Sequence, residues 1–349
     1  MWLSRTSRIG HRFAAISLIS VTLGASVTSA LLVTPSAGAA SRVTTTTDPG
    51  LGLQQDFVRA VKAVRPSVVE IATSTSLGSG VVYDNKGDIV TNAHVVGTAK
   101  TFTVSFSDGK RLMGRLVGTY VPDDLAVIRV SPAKGLKAAR FGDSSSLEVG
   151  DIVLAMGSPL GLSSSVTDGI VSFNGRAVNE GNGVVLPDLI QTSAAINPGN
   201  SGGALVSLSA QVIGIPTLAA TSGSAAAPGL GFAIPSNTVK LIAPQLIAKG
   251  KVTTAGRAAL GISGADAVSF AGAPVGVVVA AVESNGPAAK AGIVVGELIT
   301  AINGTATTDF TALQTVLAEL KPGARVTVAV TSADGKKRSV SVVLADLAQ

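Results

Sequence analysis

The sequence predicts a mainly β protein in which two antiparallel six-stranded β-barrels are followed by a small α+β unit. Two stretches, residues 67–130 and 152–234, each break into about six short runs rich in Val, Ile and Leu, separated by Gly, Asp, Asn and Pro. Successive sets of short strands are best satisfied by closure, which removes unpaired edges. Composition agrees, because 40 glycines and only 3% aromatic residues favour strands and turns around an aliphatic core. Beyond residue 257 the pattern changes to alternating strands around two short helices, at 287–291 and 309–320.

Residues 1–12 are basic and lack acids, residues 13–33 are apolar, and small residues follow around Ala37-Gly38-Ala39. That is the order of a secretory signal, so residues 1–40 are assigned to a signal peptide and the protein to the outside of the cytoplasm. The apolar run is also about as long as a membrane span, which makes retention as an anchor the alternative. Residues 41–52, with four consecutive threonines, read as a flexible linker. Leu53, Phe57, Val61 and Val64 then recur at helical spacing and stop before Pro66.

The first strand set is expected at 67–72, 80–83, 88–92, 101–106, 111–118 and 125–130, with hairpin turns at Asp84-Asn85-Lys86-Gly87 and Asp108-Gly109. The second is expected at 152–156, 167–173, 189–191, 203–207, 212–216 and 231–234. Residues 218–229 form an Ala/Ser/Gly run expected as a mobile loop. Residues 237–249 look helical and 250–256 serve as a linker to the last unit.

Inventory excludes several chemistries. There is no cysteine, so disulfides and thiolate metal sites are impossible. With one histidine outside the leader, no usual zinc site can form, and no cofactor or metal is expected. No Gly-x-x-x-x-Gly-Lys-Ser/Thr cradle for a nucleotide phosphate is present. Half of the net charge of +6 comes from Arg5, Arg8 and Arg12 in the leader, and no basic cluster is interleaved with aromatics, so nucleic acid is not an expected partner.

One stretch does point to chemistry. In Asn197-Pro198-Gly199-Asn200-Ser201-Gly202-Gly203 a serine stands among glycines, which allow an exposed hydroxyl and close approach of a ligand to backbone N–H groups. Ser201 is thus a candidate acyl-transfer nucleophile, although such a run can also be an ordinary turn. If it needs a histidine base, His94 is the one available, since the other histidine, His11, lies in the expected leader. A lone histidine ending an apolar strand is more often a core residue, and it is the pairing with the serine turn that points to catalysis. A carboxylate is needed to orient it, and Asp124 directly precedes the apolar run Leu125-Ala126-Val127-Ile128. Asp123 is expected as a solvated turn residue; alternatively, both aspartates simply end a turn after Pro122.

Thr91-Asn92-Ala93-His94-Val95, Asp124-Leu125-Ala126-Val127-Ile128 and Asn197–Gly203, in this order, resemble the three signature blocks of the HtrA/Deg family of chymotrypsin-fold serine proteases. Gly78-Ser79-Gly80-Val81, Met156–Leu162, Val166–Ser172 and Gly231-Phe232-Ala233-Ile234-Pro235 resemble it as well. The resemblance implies that His94 is the general base, Asp124 its orienting acid and Ser201 the nucleophile. It implies an oxyanion hole from the N–H groups of Gly199 and Ser201, with Asn200 beside them. It also implies that Ile213-Gly214-Ile215 pairs with substrate backbone and that residues there and at Ala195 and Ile196 shape a small apolar S1 pocket. Ser193 stands where the family usually has aspartate, and Pro216 cannot donate an N–H to a substrate strand.

Residues 257–349 resemble a PDZ domain. Ala259-Leu260-Gly261-Ile262 matches its carboxylate-binding loop, with Asn285–Ile293 and Gly296–Gly304 matching the helix and strand that follow. The resemblance implies a protease domain over 53–249, polypeptide substrates, C-terminal peptides as partners, and a homotrimer. A different class remains as the alternative: a non-catalytic peptide-binding or chaperone-like module built on an inactive protease scaffold.

Overall fold

The computed structural model describes residues 49–347, apart from 75, 132–134, 159–164, 182–183, 198 and 223–224. The expected signal peptide and most of the expected linker lie outside the described residues. No described helix is long and apolar enough to cross a membrane.

Helix α1 (Pro49–Val64) buries Ala60 and Val64 and leads through a 3₁₀ turn into the first barrel. That barrel comprises β1 (Val68–Ala72), β2 (Leu77–Val82), β3 (Asp88–Thr91), β4 (Thr101–Ser105), β5 (Arg111–Tyr120) and β6 (Leu125–Val130). It closes in the order β1-β2-β3-β6-β5-β4, with α2 (Ala93–Val96) inserted after β3. Val69, Ile71, Ile89, Val104 and Ile128 fill it, each alternating along its strand with residues on the opposite face.

The second barrel repeats the scheme with β7 (Ile152–Gly157), β8 (Ser165–Gly181), β9 (Val184–Thr192), β10 (Ala204–Ser207), β11 (Val212–Ser222) and β12 (Ala225–Pro235). Its closed order, β10-β11-β12-β9-β8-β7, is that of the first barrel read from its other end. The run 218–229, expected as a loop, instead continues β11 and β12 as a hairpin, with Thr221 opposite Ala226 and Ser222 opposite Ala225. Ladder hydrogen bonds join backbone to backbone, so an Ala/Ser/Gly run can extend a hairpin without the apolar alternation by which strands are read.

Helix α3 (Ser236–Lys249) crosses both barrels and buries Val239, Ile242, Ala243 and Leu246 in a core shared with Tyr120, Leu125 and Ile215. Its end approaches β5 so closely that a Cβ on Gly118 would lie 2.6 Å from the carbonyl oxygen of Gly250.

The last unit has its own core around Leu260, Val277, Ile299, Leu313 and Val328. Its elements are β13 (Ala258–Ala259), β14 (Ile262–Val268), β15 (Pro274–Val282), α4 (Pro287–Lys290), β16 (Leu298–Ile302), β17 (Thr305–Ala306), α5 (Phe310–Ala318), β18 (Arg325–Thr331), β19 (Lys337–Val343) and β20 (Ala345–Asp346). The main sheet runs β14-β15-β16-β18-β19, which leaves β14 at an edge.

Asp123, expected in solvent, is 3% exposed. Arg257, at the start of the last unit, explains this: its guanidinium reaches Asp123 Oδ1 at 2.9 Å, Val185 O at 2.9 Å and the carbonyl of Pro122. Burial pushes the Asp123 carboxyl up to about 6, opposed by the Arg257 charge. Tyr120 Oη donates to Leu347 O at 2.7 Å, a second tie from the first barrel, here to the segment that follows β20.

Candidate active site

The His94 side of the site is built from the end of β3 and the turn before β6. Asp124 follows the 3₁₀ turn Val121–Asp123 in a left-handed conformation (φ 48°, ψ 41°), which aspartate tolerates better than most residues. Its carbonyl accepts from Asn92 Nδ2 and from the Ala93 N–H, both at 3.1 Å, so Asn92 in the Thr-Asn-Ala-His block tethers the aspartate's backbone.

The Asp124 carboxylate is buried yet fully matched with donors. Oδ1 accepts the His94 N–H at 2.9 Å, and Oδ2 accepts His94 Nδ1–H at 2.8 Å and Thr217 Oγ1–H at 2.5 Å. A buried carboxylate without such partners would be costly. Because a carboxylate only accepts, the imidazole proton sits on Nδ1 and Nε2 is left as an acceptor. The His94 side chain is 45% exposed while that of Asp124 is 4% exposed, so the ring faces the open side and its partner is sealed behind it.

The Ser201 side belongs to the second barrel. Ser201 Oγ donates to Thr217 O at 3.2 Å, so Thr217 touches Ser201 through its carbonyl and Asp124 through its hydroxyl. Asp124 and Ser201 thus both bond one residue, Thr217, which no sequence motif singles out, and His94 joins them through Asp124. The marker of Thr217 in the sequence is modest: a hydroxyl directly after Pro216 in β11.

Among the described residues the N–H groups of Gly199 and Ser201 have no acceptor. Gly199 has φ +102°, a conformation that suits glycine. Asn200 is placed differently from the expectation. Its N–H closes onto Asn197 O at 3.0 Å and its side-chain amide donates to Ala195 O at 3.2 Å, so it braces the turn and has no backbone donor left to offer.

Ile213, Gly214 and Ile215 are also displaced from their expected task. The two isoleucines are buried in the barrel, and Gly214 is paired on both edges, with Leu205 of β10 and Pro235 of β12. No edge remains there for a further strand. Pairing with β10 ends at Gly214, the Gly202 N–H takes Pro216 O at 2.9 Å, and the open edge of β11 begins at Thr217. Pro216 itself lies where β11 bulges against β12, the place in a sheet where a missing N–H costs least.

Ala195 is exposed, and Ile196 is 6% exposed and packs over Gly231, where a Cβ would lie 2.5 Å from Ile196 Cγ1. At Ser193 the hydroxyl accepts the Ile170 N–H at 3.0 Å, supplying the acceptor that an aspartate would offer.

In the last unit Ala259, Leu260, Gly261 and Ile262 line one end of a cavity of about 810 Å³ between β14 and α5. Gly261 has φ +69°, and a Cβ there would meet Pro287 Cδ at 3.1 Å. Phe310, Leu313 and Leu317 form the apolar wall opposite.

The chain is similar to known proteins over most of its length. A family model described as trypsin-like peptidase domain matches residues 78–215, and one described as PDZ domain matches residues 258–344. Serine protease PepD of Mycobacterium tuberculosis is 38% identical over 335 residues, covering 89% of this chain and 70% of the relative. The chain belongs to the HtrA family of serine proteases. Periplasmic serine endoprotease DegP of Escherichia coli is 41% identical over 284 residues, 78% of this chain, which spans 58% of DegP's length. A crystal structure of the serine endoprotease from Yersinia pestis superposes with a TM-score of 0.57 at 33% identity, covering 83% of this chain and 98% of that one. The HtrA-type protease AlgW, solved with a tripeptide, gives 0.58 at 35% identity, covering 83% and 96%.

Proposed function

We propose that the chain is an ATP-independent serine endopeptidase acting on unfolded or damaged polypeptides outside the cytoplasm, with His94, Asp124 and Ser201 as catalytic residues. The observation that carries this is the hydrogen-bond path from Ser201 Oγ through Thr217 to Asp124 and on to the His94 ring.

In this mechanism Ser201 Oγ attacks the scissile carbonyl carbon while His94 Nε2 accepts the hydroxyl proton. The C–N bond then breaks as His94 returns that proton to the leaving amine, and water releases the acyl group by the same steps. Asp124 keeps the ring in its working tautomer and offsets the positive charge it gains. As the carbonyl oxygen becomes negative, the N–H groups of Gly199 and Ser201 supply the hole.

An extended substrate would add to the edge of β11 that opens at Thr217, with small apolar side chains preferred against Ala195 and Ile196. The cavity between β14 and α5 would take a C-terminal peptide as an added strand, its carboxylate at Leu260-Gly261-Ile262. That AlgW was solved with peptides and that DegP is periplasmic support both the ligand class and the compartment. A homotrimer is the assembly we infer from the family.

A serine-directed fluorophosphonate, with a C-terminal peptide present as activator, should label the wild-type chain and not Ser201→Ala. Labelling of neither would overturn the proposal in favour of a peptide-binding module.

A further inference from the structure

Ser79, on β2 of the first barrel, makes contacts that neither fold nor triad requires. It is fully buried, and every polar atom it owns is engaged. Its N–H donates to Ser201 O at 2.9 Å, and its hydroxyl donates to Gly199 O at 2.5 Å while accepting the Ser158 N–H at 2.8 Å. Its carbonyl accepts Thr91 Oγ1–H at 2.6 Å. One residue of the first barrel therefore grips both ends of the turn that carries Ser201 in the second.

We propose that Ser79 is a positioning residue that holds the 199–201 turn so that the N–H groups of Gly199 and Ser201 face the reacting carbonyl. This rests on the reading of Ser201 as nucleophile. A peptide unit is planar, so fixing its oxygen and its N–H fixes its orientation. The unit joining Gly199 to Asn200 is held at its oxygen by Ser79 Oγ and at its N–H by Asn197 O. The unit joining Ser201 to Gly202 is held at its oxygen by the Ser79 N–H and at its N–H by Pro216 O. The unit carrying the Ser201 N–H lies between these two and is oriented by both. Gly199 has no side chain to restrict it, so without the tether the turn has other orientations open to it.

The close approach of β2 to the serine turn depends on glycines. A Cβ on Gly202 would fall 2.2 Å from Ser79 O, and one on Gly157 would fall 2.6 Å from Gly199 O. On β2 itself, a Cβ on Gly78 would meet Val95 at 2.7 Å and one on Gly80 would meet Ile71 at 2.6 Å. Glycines on either side let the strand come close enough for the hydroxyl to reach across the barrels.

The test is kcat per titratable active site, with KM, for wild type, Ser79→Ala and Ser79→Cys on a small peptide ester. Ser79→Ala should lose about 10- to 100-fold in kcat with KM held within about two-fold, approaching the loss of a hole donor. Affinity for a peptide boronate, which mimics the tetrahedral oxygen, should fall in parallel while affinity for the corresponding product peptide, capped as its neutral amide, stays. Ser79→Cys, similar in volume and a weaker donor, should fall between, and it decides the matter should the alanine variant not fold. Wild-type kcat per site in the folded variant overturns the proposal, as does an equal loss of boronate and product-peptide affinity. Failure of the wild-type chain to label with fluorophosphonate would instead overturn the assignment of Ser201.

Discussion

The first barrel presents His94 and Asp124 on short segments held mainly by their own neighbours, with Thr217 the donor from across the seam, whereas the second presents Ser201 on a glycine turn gripped by Ser79 of the first. Asp124 receives two bonds from His94 and is tethered through its carbonyl by Asn92 and Ala93, all within the first barrel. The serine turn depends on Ser79 and on Pro216 and Thr217 of β11. On the proposed reading, two barrels with one strand order divide the work: one supplies the base and its orienting acid, the other a nucleophile whose turn is gripped across the seam by Ser79.

The sharpest way to break the settled side is Asp124→Asn. The amide would favour the wrong imidazole tautomer while the backbone tether through Asp124 O persists, so kcat should fall about 10⁴-fold with little change in thermal stability. A loss below about ten-fold, measured on a small ester, would mean that His94 is oriented by something else.

A smaller effect is expected where the first barrel meets the last unit. Arg257→Ala leaves the buried Asp123 carboxylate without its partner, and should cost about 3 kcal/mol in urea unfolding at pH 8. Burial holds Asp123 at about 6 against an ordinary 3.8, so the native state keeps its proton where the unfolded chain releases it. Its contribution to stability therefore declines as pH rises between those two values. Removing Arg257 raises the carboxyl further, so the cost of the substitution should shrink at pH 5, where Asp123 is protonated in either variant. An equal cost at both pH values would show that lost packing, and not charge, is responsible.

The smallest effect is at the joint between the two sides. Thr217→Val removes one of three donors to the Asp124 carboxylate but keeps the carbonyl that Ser201 contacts, and should lower kcat about ten-fold. A matched effect on Ser201 labelling and ester turnover would place the role in orienting His94 and Asp124.

Much of this was legible in the residues. The first barrel's strands were readable to within a few residues because each is short, β-branched and bounded by turn residues, as Asp84–Gly87 shows between β2 and β3. His94 could be named because the other histidine, His11, falls in the expected signal peptide. The β11–β12 hairpin was not readable, since Ala, Ser and Gly pair through backbone and leave no pattern. Asp123 was misplaced because its partner, Arg257, is remote in sequence, and a carboxylate beside a turn looks solvated until the buried cation is known.

Local order, the barrel strands outside the β11–β12 hairpin tip and the candidate reactive side chains were legible in the sequence alone, because they follow from residue type and from spacing over a few positions. Which hydroxyl braces Asp124, which serine grips the Ser201 turn, and where β11 leaves an edge open were decided only by tertiary structure. The first two are contacts between segments 90 or more residues apart, Thr217 with Asp124 and Ser79 with Gly199, and no short-range pattern carries them.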